Sequence, residues 1–180
     1  IMIMVIAIMG IIQTDKANGM LAFILTRPVA VSAYITGKIV ANYILVAFSV
    51  TVGYVASIIY VNYLFTSVPF WHVTIGFIFY LIWVLFIVSF TTMISTIFKS
   101  QGVIALISIG TLLCCRLIVG LSPVIDQVNP AVMSKYAIEL LSNGAIHSNI
   151  FSSSLFTFAW LLLTLFTIYY WIFNKKFTTE

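Results

Sequence analysis

The chain has 180 residues, 63% of them hydrophobic and only 7% charged, with a mean hydropathy of +1.20 and a net charge of +4. A soluble domain carries about 25% charged residues, so this composition cannot cover the surface of a water-soluble globule and excludes that class. The expected fold is an all-α polytopic membrane protein, a helical bundle in a lipid bilayer with no nucleic-acid partner.

The first element, residues 1–12, reads "IMIMVIAIMGII". It has neither a basic leader nor a small-residue cleavage site, so it is not a signal peptide. Twelve helical residues reach about 18 Å, short of a hydrocarbon core of roughly 30 Å. It is therefore expected to be the second half of a span, in a chain that lacks its N-terminal part.

Residues 13–37 form a charged elbow. Ala17, Met20, Leu21 and Ile24 fall on one helical face, which suits a short helix in the head-group plane. Pro28 disfavours helix at Arg27 and can itself open a new helix, since its missing N–H is not needed there. The chain then climbs into the membrane through Lys38. Spans are expected at 38–62, 72–98, 102–121 and 152–173, each long enough to cross.

The connections sort by charge. Residues 13–38 carry Lys16, Arg27 and Lys38 against Asp15, the turn at 99–101 carries Lys99, and the tail at 174–180 carries Lys175 and Lys176 against Glu180. The loop at 63–71 is uncharged, and the segment at 122–151 holds Asp126, Lys135 and Glu139. Lys and Arg in short loops mark the cytoplasmic side, so the elbow and the C-terminus are expected in the cytoplasm. Tyr60, Tyr63 and Trp71 at one boundary, and Tyr169, Tyr170 and Trp171 at the other, suit aromatic belts.

Within the spans, Ser49, Gly53 and Ser57 make a small-residue stripe suited to helix packing, within the subunit or between two. Ser89, Thr92 and Thr96 share a face, with Thr91 and Ser95 beside it. Such hydroxyls either bond to carbonyls of their own helix or line a pathway. Arg116, near the outer end of its span, either snorkels to head groups or faces the bundle and meets Asp126 or a substrate. In the outer segment Pro123, Asn129-Pro130 and Asn143-Gly144 are turn formers. Between them Val132, Tyr136 and Leu140 share a face of a short amphipathic helix, and Lys135 and Glu139 are spaced to pair.

Motifs for catalysis do not assemble. The spans hold no carboxylate for a proton or sodium relay, and His72 and His147 lack partners at metal-ligand spacing. The "TGK" at 36–38 is not a phosphate-binding loop, because Ser32 stands where its first glycine is required. Cys114 and Cys115, adjacent in an apolar run, read as packing residues. The chain is expected to be no enzyme and to bind no cofactor or metal; any energy must come from another chain.

One pattern in the elbow is specific. Asp15, Gly19, Leu21 and then "LTRPV" (Leu25, Thr26, Arg27, Pro28, Val29) are followed by Gly37 and Lys38 at the entry to a span. This resembles the permease subunits of type 2 ATP-binding-cassette transporters, which more often have glutamate at the place of Asp15 and threonine at that of Met20. The resemblance implies about five of six spans present, both ends of the full permease in the cytoplasm, and a dimer of permease subunits in a cytoplasmic membrane; the abundance of Ile, Tyr, Asn and Lys points to an AT-rich bacterial source. It also implies export driven by a separate ATPase that holds ATP and magnesium. The elbow would then be a coupling helix, with Asp15, Gly19, Thr26, Arg27, Pro28, Val29 and Lys38 toward the ATPase. Without that pattern, Arg27 and Lys38 could equally hold anionic head groups. The other class of function is a non-transporting membrane scaffold or assembly factor that recruits a cytosolic protein.

Overall fold

In a bilayer every backbone N–H and C=O must be satisfied within the protein, and a helix does this inside one segment. The apolar runs accordingly fold as helices in the computed structural model, which describes residues 2–10, 31–64, 70–98, 100–143 and 149–174. Among these residues there are seven helices: α1 (Met2–Met9), α2 (Val31–Leu64), α3 (Phe70–Ile97), α4 (Gln101–Ile118), α5 (Pro123–Val128), α6 (Val132–Asn143) and α7 (Ile150–Asn174). Four of them, α2, α3, α4 and α7, are long and apolar enough to cross a membrane. The elbow residues Asp15, Gly19, Thr26, Arg27, Pro28 and Val29 lie outside the described residues.

The helix α3 is the most enclosed: 39% of its apolar window is buried, against 6% for α2. Trp83, Val84, Phe86, Ile87 and Val88 of it are all buried. Its exposed residues are apolar as well, among them Phe70, Trp71 and Ile78, as suits a surface that faces lipid.

The chain divides into two compact units. The first comprises Ile1–Tyr43, Ile87–Leu113 and Leu161–Glu180. Its core is Ile35 and Ile39 of α2 against Ile168 of α7, with Tyr34, Tyr43, Met93 and Leu165 packed around them. Ser95 of α3 donates to the carbonyl of Met9 at 3.3 Å, giving a partner to one of the open carbonyls at the end of α1.

The second unit comprises Ile44–Phe86 and Cys114–Trp160. Here Tyr54 of α2 stacks on Phe77 of α3 with ring centroids 4.1 Å apart. Its hydroxyl bonds that of Thr74 at 2.9 Å. Gly76 lets α6 come close to α3, because a Cβ at that position would stand 3.1 Å from the carbonyl oxygen of Ala137. The buried face of α6 includes Val132, Tyr136 and Leu140, while Ile138 and Leu141 are exposed. A six-residue helix, α5, precedes it; Pro123 at its first turn fits a position that needs no N–H.

Candidate functional site

Two polar groupings stand out from the apolar background. In the first unit, Ser89, Thr91, Thr92, Ser95 and Thr96 of α3 are all buried. Thr92 donates to the Val88 carbonyl at 2.7 Å, and Thr96 to that of Met93 at 2.7 Å. Those hydroxyls bond within their own helix, one of the two uses their spacing allows. Ser89 hydrogen-bonds the phenol of Tyr43 on α2. Such interhelical bonds in lipid contribute about 0.6 kcal/mol on average. The Thr91 hydroxyl is fully buried with no partner among the described residues, as is that of Ser108 on α4.

The second grouping ties α5 and α6 to the end of α4. Gly120, just past α4, has φ +96°, a left-handed conformation that suits glycine after a helix end. Its N–H donates to Asp126 Oδ1 at 2.8 Å, while Lys135 Nζ donates to Asp126 Oδ2 at 3.1 Å. Asn129 Nδ2 donates to the Cys115 carbonyl at 2.7 Å, and its Oδ1 accepts from Ala131 N–H at 3.0 Å. Trp160 Nε1 of α7 donates to the Val128 carbonyl at 3.1 Å. The Asp126 hydrogen bond, aided by the charges of Asp126 and Glu139, holds the Lys135 amine above its ordinary pKa against a smaller effect of burial.

Arg116 is half-buried and donates from Nη1 to Ser134 Oγ of α6; Ser134 in turn donates to the Ala131 carbonyl at 2.6 Å. Of the partners considered from sequence, Asp126 is therefore not the one Arg116 meets. That carboxylate is already engaged by Lys135 and the Gly120 N–H. The Lys135–Glu139 pair is present at a looser 4.0 Å.

The remaining site residues are placed as follows. Lys38 lies in α2 with its ammonium 5.3 Å from the centre of the Tyr34 ring. Ser49, Gly53 and Ser57 are exposed; the two serines bond carbonyls of their own helix, and nothing lies within 4 Å of where a Gly53 Cβ would be. The stripe thus makes no packing contact at Gly53 among the described residues. Cys114 is exposed, Cys115 is half-buried, and neither is in a disulfide.

Two features escaped the sequence reading. Ser153, Thr157 and Thr164 make a buried hydroxyl face on α7. The spacing of four and seven is its signal, hidden among the other serines and threonines of the helix. Asn129 bridges to a carbonyl fourteen residues earlier, which the Asn-Pro turn signal does not disclose.

Helices of this length and apolarity define a polytopic helical membrane protein. A model of the family described as "ABC-2 family transporter protein" matches residues 1–176, and the chain belongs to that family. It is 30% identical over 174 residues to "Uncharacterized transmembrane protein YxlG" of Bacillus subtilis (strain 168), covering 96% of this chain and 67% of the relative. No solved structure matches the chain. The family is a transport component of the membrane, and a permease role follows from membership.

Proposed function

We propose that the chain is the membrane-spanning permease subunit of an exporter in a bacterial cytoplasmic membrane, powered by a separate ABC ATPase. The observation that carries this reading is the family match along residues 1–176, with four helices able to span among the described residues. The ATPase docks on the elbow at 13–37 and holds ATP and magnesium; this chain binds neither. The basic residues of the elbow, the 99–101 turn and the tail support a cytoplasmic C-terminus.

A second permease subunit completes the transporter, and the exposed stripe Ser49, Gly53 and Ser57 suits close approach of its helices. The α3 face of Ser89, Thr92 and Thr96 lines the cytoplasmic half of the route. In this reading, movement of the docked ATPase passes to α2 through the elbow, where Pro28 disfavours a continuous helix at Arg27.

The test is co-reconstitution of the full-length permease with its candidate ATPase in proteoliposomes. The expected result is a stable complex whose ATP hydrolysis rises above that of the ATPase alone. An ATPase that neither binds nor changes its rate would leave only the scaffold reading.

A further inference from the structure

Arg116 raises a problem of charge compensation. A guanidinium has five N–H donors and does not deprotonate in proteins, yet among the described residues its hydrogen-bond partner is one neutral hydroxyl, Ser134 Oγ. The two carboxylates of the same unit, Asp126 and Glu139, lie against Lys135 instead. The group is half-buried in the last turn of α4, at a depth where a long cationic side chain reaches the head groups.

The surroundings indicate what supplies the counter-charge. Leu117, next in the chain, is 79% exposed, and Leu121 and Val124 are 72% and 70% exposed. A cation beside exposed apolar side chains at a helix end matches a molecule with an anionic head and an apolar body. The fork of N–H groups on an arginine fits phosphate oxygens in bidentate fashion. Ser134 fixes the fork from one side, and is itself fixed by its bond to Ala131.

We propose that Arg116, steadied by Ser134, holds the phosphate of an anionic amphiphile in the leaflet at the C-terminal end of α4, the outer leaflet under the charge distribution of the loops. The chemistry is that of a phosphodiester, whether it belongs to a resident phospholipid or to a transported one. This goes beyond the permease reading and does not depend on it.

The test uses purified full-length permease without nucleotide. Retention of dioleoylphosphatidylglycerol is compared with that of dioleoylglycerol, which lacks the phosphate, by native mass spectrometry. Wild type is expected to prefer the phospholipid. Arg116→Gln should weaken its retention by about tenfold, as for loss of a charge-assisted hydrogen bond, and leave dioleoylglycerol unchanged. Arg116→Lys, which keeps the charge and loses the fork, should fall between.

No preference in wild type overturns the proposal without reference to any variant, and so does an unchanged preference in folded Arg116→Gln. A second arm adds the ATPase and ATP and follows fluorescent phosphatidylglycerol between leaflets. Arg116-dependent transfer identifies the phosphate as that of cargo, and retention without transfer identifies a resident lipid.

Discussion

The Asn129 side chain donates from Nδ2 to the main-chain carbonyl of Cys115 across 2.7 Å, joining the α5–α6 link to the last turn of α4. The same amide accepts from the Ala131 N–H at 3.0 Å, so it fixes both its own turn and the neighbouring helix end. The last carbonyls of a helix have no partner within it, and next to lipid an open carbonyl is expensive. Asn129→Ala should therefore lower stability by about 1–2 kcal/mol. Thermal unfolding of the purified full-length protein in detergent measures this, and an unchanged midpoint would show that the bond is dispensable.

Gly76 and Gly110 offer a matched pair. A Cβ on Gly76 would meet the Ala137 carbonyl oxygen at 3.1 Å, and a backbone atom cannot swing aside as a side chain can. Gly110 has nothing within 4 Å of the same position. Gly76→Ala should cost about 1 kcal/mol through overpacking, while Gly110→Ala should be neutral or gain slightly from helix propensity. The same unfolding assay decides, and equal effects would contradict the close approach of α3 and α6.

The Asp126–Lys135 pair gives a pH prediction of definite sign. Lys135 has a raised pKa in the folded protein, held first by the Asp126 hydrogen bond. Its stabilisation is then fully present below the unfolded lysine pKa of about 10.4 and is lost as pH rises through the folded value. Lys135→Met should cost about 1–2 kcal/mol, between exposed and buried pairs. The difference from wild type should hold constant from about pH 7 to 9 and shrink only above about 10.4. A difference that already fades near neutrality would point to another group.

Thr91 and Ser89 of α3 should respond differently to loss of the hydroxyl. The buried Thr91 hydroxyl has no partner among the described residues, so Thr91→Val, which preserves shape, should leave stability unchanged or raise it by about 1 kcal/mol. Ser89→Ala, which strips the partner from Tyr43, should lower it. The thermal midpoint should fall for Ser89→Ala and should not fall for Thr91→Val. A large loss from Thr91→Val would mean that the hydroxyl is engaged after all.

The four long helices are legible because a run of apolar residues long enough to cross a bilayer has few other ways to satisfy its backbone. The face of α6 is legible for the opposite reason. Polar and apolar residues alternate there with helical period, so Val132, Tyr136 and Leu140 announce a common side. Contacts between elements were not legible. Lys135 and Glu139 are four apart and suggest each other, but the shorter contact of Lys135 is with Asp126, at 3.1 Å against 4.0 Å. That partner depends on how α5 turns back on α4 after Gly120, and no local spacing records it. The α7 hydroxyls were hidden because serine and threonine recur throughout the spans, and only packing decides which are enclosed.

The most direct measurement of the central claim is on the elbow. Full-length permease, wild type and the variants Arg27→Glu and Pro28→Gly, is reconstituted with its candidate ATPase, and complex formation and ATP hydrolysis are read together. Both variants are expected to insert normally in the membrane and to lose docking or stimulated hydrolysis. Docking and stimulation that survive both substitutions would contradict the claim, and would leave "LTRPV" as a membrane-surface turn with no part in coupling.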